Sequence, residues 1–111
     1  MAIINTRLST SAQIQVFSST GVQAITNIIA CNTGTRDLLN ETVNASTLTV
    51  YFIPNGSAAG DLTTVIKNVT VPAGETLFFS DEKVILEDGD TIVAQAGTGN
   101  LISVTMSSLA V

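Results

Sequence analysis

The chain has no histidine and no tryptophan, one cysteine, two prolines, one tyrosine and four basic residues among 111. Each shortage removes a class of function. Without histidine, the side chain that most often serves as general base or metal ligand near neutral pH is missing. Cys31, in the apolar segment NIIACNTG, therefore has no imidazole to take its proton and reads as a small buried hydrophobe. A single cysteine also forbids an intrachain disulfide. Arg7, Arg36, Lys67 and Lys83 are scattered through a chain of net charge −5. They cannot form the basic stripe that releases counterions from a phosphate backbone, so nucleic acid is not an expected partner. No apolar run approaches the roughly 20 residues of a membrane-spanning helix, so no membrane is expected either. The opening MAIINTRLST lacks a basic stretch followed by a long apolar one, and synthesis in a cytoplasm without a secretory signal is expected.

Charge of either sign is scarce. Asp, Glu, Lys and Arg make up 12% of the chain against roughly 25% in an average soluble domain. Thr, Ser and Asn take their place. Hydroxyls and amides lose less on desolvation than charges do, and protein interfaces are depleted in charge at their centres, so this composition favours a subunit packed against neighbours. The length suits one domain with one core.

What is present is a β pattern. Short apolar stretches rich in β-branched residues are punctuated by turn residues. Expected strands are Ala12–Phe17, Val22–Cys31, Thr47–Ile53, Thr64–Val71, Thr76–Phe79, Lys83–Leu86, Thr91–Ala96 and Leu101–Leu109. Val22–Cys31 is apolar in both phases, as a central strand would be. In TLTVYFI, Leu48, Val50 and Phe52 alternate with Thr47, Thr49 and Tyr51, which marks a half-buried strand. The segment TRDLLNETVNAS, residues 35–46, is read as a loop, and Pro72 with Gly74 marks a turn. About eight short strands without helical crossovers predict an all-β fold, a single-domain antiparallel β-sandwich of jelly-roll type over residues 12–111. Residues 1–11 are expected to be an arm or a first edge strand, with too few apolar groups to bury themselves.

The one cluster that invites chemistry is Glu87-Asp88-Gly89-Asp90. Glu87, Asp88 and Asp90 can offer oxygen ligands to calcium, but EDGDTIVAQAG lacks the alternate ligand spacing and closing glutamate of an EF-hand loop. Asp-Gly between two apolar runs is a strong hairpin signal for a type I′ turn, and that reading is preferred. Asp81-Glu82 with Glu87-Asp88 are the only candidates for paired-carboxylate hydrolysis, and a chain with so few aromatics has little to line a sugar groove. No catalytic residue, metal or other cofactor is expected. Sequons at Asn40, Asn44, Asn55 and Asn68 are read as unmodified by-products of an Asn-, Ser- and Thr-rich composition. GTGN, residues 97–100, lacks the lysine and following helix of a phosphate loop and reads as a hairpin turn.

With these strands placed, VFSSTGVQAITNIIACNTG, LTVYFIPNG and VPAGETLFFSDEKVILEDGDTIVAQAG resemble a family of small virion proteins of tailed bacteriophages. The resemblance spans about residues 12 to 109 and implies a non-enzymatic β-sandwich module of the phage particle. The role it implies first is a capsid decoration or cement protein, a homo-oligomer, with a trimer favoured over another cluster, bound to the major capsid protein or other virion subunits. The second is a neck, tail or fibre component in which the PNGSAAGD loop and the GTGN turn form a receptor-binding tip. Both place the chain in the virion.

Overall fold

A computed structural model describes residues 2–78 and 84–110. Among them are nine strands and no helix: β1 Ala2–Arg7, β2 Ile14–Ser18, β3 Gln23–Asn32, β4 Ser46–Ile53, β5 Thr64–Val71, β6 Thr76–Phe78, β7 Val84–Leu86, β8 Thr91–Ala96 and β9 Ile102–Ala110. They form two antiparallel sheets facing each other. The first has the order β1-β9-β3-β6, with β7 also on β3, and the second β2-β8-β4-β5.

Strands β6 and β7 occupy one position. β9 pairs with β3 from Gln23 to Asn32, so β6, opposite Ile29–Cys31, and β7, opposite Gln23–Ile25, share its other side. Eight strand positions remain, and the chain pairs first with last, second with seventh, third with sixth and fourth with fifth. This is a long antiparallel ribbon wrapped around a core, the jelly roll that the strand spacing predicts.

The core follows the period-2 pattern. Ile25, Ile28, Ala30, Ile102, Val104 and Met106 of the first sheet meet Leu48, Val50, Ile92, Ala94 and Ala96 of the second, all at most 3% exposed. Each large aliphatic side chain removed from water contributes about 1.5–3 kcal/mol. Strict alternation would put Val16 and Phe17 on opposite faces. A register shift between Gln15 and Phe17 lets both reach the core, at 4% and 7% exposure.

The N-terminal residues are a strand, not an arm. Ala2–Arg7 pairs with Ser103–Ser108 of β9 in unbroken register. Two side chains suffice to hold it, because Ile4 packs on the core and Leu8 is fully buried with its N–H on the Ile102 carbonyl at 2.9 Å. The expectation that these residues cannot bury themselves overlooked the complete backbone ladder that β9 offers. Residues 35–45 form the expected loop, a series of tight turns joining β3 to β4. Cys31 differs from its reading as a buried hydrophobe. It is half-buried on the outward face of the first sheet, between Ser103 and Thr76, because the phase of β3 turns Ala30 and Asn32 inward.

Candidate functional site

The acidic turn lies between β7 of the first sheet and β8 of the second, so it carries the chain across the sandwich and does not close a hairpin. Asp90 N–H bonds the Glu87 carbonyl at 3.1 Å, and Gly89 has φ +85° whereas Asp88 does not have positive φ. Positive φ at the third residue alone marks a type II turn in place of the expected type I′. The hairpin signal is local; the destination of the next strand is set by the core.

The carboxylates hold three loops together. Asp90 accepts Asn55 N–H on Oδ1 at 2.8 Å and Glu87 N–H on Oδ2 at 2.9 Å, and Asp88 Oδ1 accepts Gly21 N–H at 2.9 Å. Ser19 adds a backbone pair, donating its N–H to the Asp90 carbonyl and accepting Gly89 N–H. Gly89 is required twice over, by its positive φ and because a Cβ there would meet the Asn55 side chain at 2.5 Å. Asp88 and Asp90 thus act as acceptors for the backbone of the β2–β3, β4–β5 and β7–β8 connections. Among the described residues no group of three acids, cysteines or histidines is arranged to hold a metal ion, and the side chains of Asp88 and Asp90 are instead turned to backbone N–H groups. Asp81 and Glu82, the other half of the carboxylate-pair reading, lie outside the described residues.

A second polar junction sits at the opposite end, and the sequence reading missed it. Asn32 is fully buried, its Nδ2 donating to the carbonyls of Asn44 at 2.8 Å and Val71 at 2.9 Å while its Oδ1 accepts Gly34 N–H at 2.9 Å. Its own backbone bonds Glu75 and Gly74, so one residue ties β3 to the loop before β4 and to the β5–β6 turn. The signal was its phase: after Ile28 and Ala30, residue 32 must also point inward. Nearby, Arg7 donates to Thr33, Ser103 and Asn100 without a carboxylate partner among the described residues.

The two connections read as one receptor-binding tip are far apart. Residues 54–61 follow Ile53, which pairs with Thr91, whereas residues 97–100 follow Ala96, which pairs with Leu48 at the other end of β4. They lie at opposite ends of β4. The GTGN turn is likewise no hairpin, since it links β8 of one sheet to β9 of the other. Gly99 is needed there because a Cβ would lie 2.9 Å from the Ser9 carbonyl oxygen and from the Thr10 Cα. The sequon asparagines have backbone and loop duties: Asn44 and Asn68 adopt positive φ, Asn55 bonds the acidic turn, and Asn40 accepts Thr42 N–H.

The sheet faces remain. Among the described residues no strand contains Asp or Glu, and only Arg7 and Lys67 are charged within strands. The outward face of the second sheet has an open groove of about 280 Å³ lined by Ser11, Thr47, Thr49, Asn68 and Gln95, which supply hydroxyls and amides but no titratable group. The outward face of the first sheet is more apolar. Ile85, Ala24 and Leu109 form one cross-strand row and Phe78, Ile29, Thr105 and Asn5 another, with Ile3 beside Ser107. Ile3, Phe78, Ile85 and Leu109 are 70%, 63%, 67% and 44% exposed, so four large apolar side chains share one face, on which Arg7 is the one charged strand residue among the described residues. No protein-family model, curated protein or solved structure matches this chain.

Proposed function

We propose that the chain is a non-enzymatic structural subunit of a tailed-phage particle, a decoration protein that seats the outward face of its first sheet on the assembled head. The single observation that carries this reading is the apolar face presenting Ile3, Phe78, Ile85 and Leu109, without an acid among the described strand residues. Such a face loses little on desolvation and offers the apolar area that interface cores use. The sequence resemblance to small virion proteins supplies the partner class, the major capsid protein, and jelly rolls recur among capsid domains, which is a fold-level analogy. The action is mechanical: a subunit that binds only the assembled shell stabilises it by mass action.

Cosedimentation of the purified protein with empty heads tests this. Saturable binding at micromolar concentration is expected, with a loss of at least tenfold for Phe78→Glu and Ile85→Glu. Wild-type protein that stays in the supernatant would overturn the reading. Labelling on neck, tail or fibres instead of the head would move the subunit to attachment or assembly there.

A further inference from the structure

A sandwich has four sheet edges, and two of them here are irregular. β2 carries a bulge between Gln15 and Phe17. β5 shifts register twice against β4, has Asn68 at φ +50° and carries Lys67. A third is formed by β6 and β7, between which residues 79–83 lie outside the described residues. Bulges, charges and short strands are the devices that keep edges from pairing with other chains. β1 has none of them along its first five residues, and its register with β9 is unbroken over six.

Its side chains leave that edge uncovered. Asn5 Oδ1 accepts from Thr105 Oγ1 at 2.8 Å and Arg7 reaches Ser103 Oγ at 2.9 Å, so both lie back over β9. The bond from Leu8 N–H to the Ile102 carbonyl sets the phase of the ladder. By antiparallel alternation Ile4 and Thr6 turn their N–H and C=O to β9, and Ile3 and Asn5 turn theirs to the open side.

We infer that β1 pairs with β1 of a second copy in an antiparallel, two-fold contact that joins the two first sheets into one. The occupant is a second copy for two reasons. First, an acidic chain of net charge −5 meets itself without repulsion only where acids are absent, and β1 has none. Second, the open edge is self-complementary: a dyad at Asn5 sets Asn5 opposite Asn5 and Ile3 opposite Arg7, which keeps outward faces on the same side. One edge pairing with itself closes at two subunits, and a trimer would need a head-to-tail contact. Six residues span only about 20 Å, so the contact is a small one of the weak, concentration-dependent kind.

Sedimentation of the purified full chain from micromolar to several hundred micromolar, with no particle present, tests this apart from the decoration role. The mass is expected to rise from 11.5 kDa to twice that value. Ile3→Lys and Asn5→Pro should weaken the pair at least tenfold, the proline removing an N–H that points away from β9. Val65→Lys on the other regular-length edge and Phe78→Glu on the sheet face should leave it unchanged. In concentrated wild-type protein the Ile3 amide should exchange slowly, and on dilution quickly. A monomer or trimer at all concentrations, or a dimer indifferent to both β1 variants, would overturn the inference; if Asn5→Pro fails to fold, Ile3→Lys and the Ile3 amide still decide it.

Discussion

Residues that resemble a reactive site here hold loops. Asp88 and Asp90 receive backbone N–H groups from three connections, and that pattern of bonds accounts for their proximity without a ligand. Calcium or a chelator should therefore leave the melting temperature unchanged; a rise of several degrees with calcium would restore the metal reading. Asp90→Ala is expected to cost about 1–2 kcal/mol in chemical denaturation, since charge-assisted bonds are lost at a partly exposed site. Asn32→Ala should cost more, about 3 kcal/mol, because two carbonyls and an N–H lose their partner around a buried position. If the two variants were equally mild, Asn32 would not be the junction described. Of this polar framework the sequence made the turn at Gly89 legible but not the bonds, because which loops meet depends on which strands cross the sandwich. Asn32 was legible only through the inward phase of β3.

At the scale of elements, short β-branched apolar runs and the turn residues between them located every strand from β2 to β9 to within about two residues at either end, as far as the described residues reach. Local pattern could not say which strands pair. Asp-Gly and GTGN read as hairpins, yet both connections cross between sheets, and only β4 and β5 are neighbours in sequence that also pair as a hairpin. A bulge also hid side-chain orientation at Val16 and Phe17. β1 was ambiguous because its inward side chains are few and its partner lies 100 residues away. Backbone amides of β3, β8 and β9, paired on both sides, should exchange most slowly, and those of β5, on an irregular edge, faster. Equal protection of β5 and β9 would contradict the edge assignment.

The whole molecule separates its properties by location. Among the described residues acids sit on connections, while both sheet faces are nearly free of charge. Docking through a face should then depend weakly on salt, since contacts among charges screened beyond about 10 Å contribute little. Head binding that changes less than threefold between 50 mM and 500 mM salt is expected, and a loss of a hundredfold would point to the charged ends as the contact. Composition alone made the low-charge interface legible; which face carries apolar side chains required the register, because Phe78, Ile85 and Leu109 come from three strands.

The central claim is that a jelly roll seats its first sheet on a phage head, and cryo-electron microscopy of intact source particles tests it most directly. The account predicts density for the sandwich repeated over the icosahedral shell, with Phe78 and Ile85 facing the capsid. Density confined to the neck, tail or fibres, or no density on the particle at all, would contradict it.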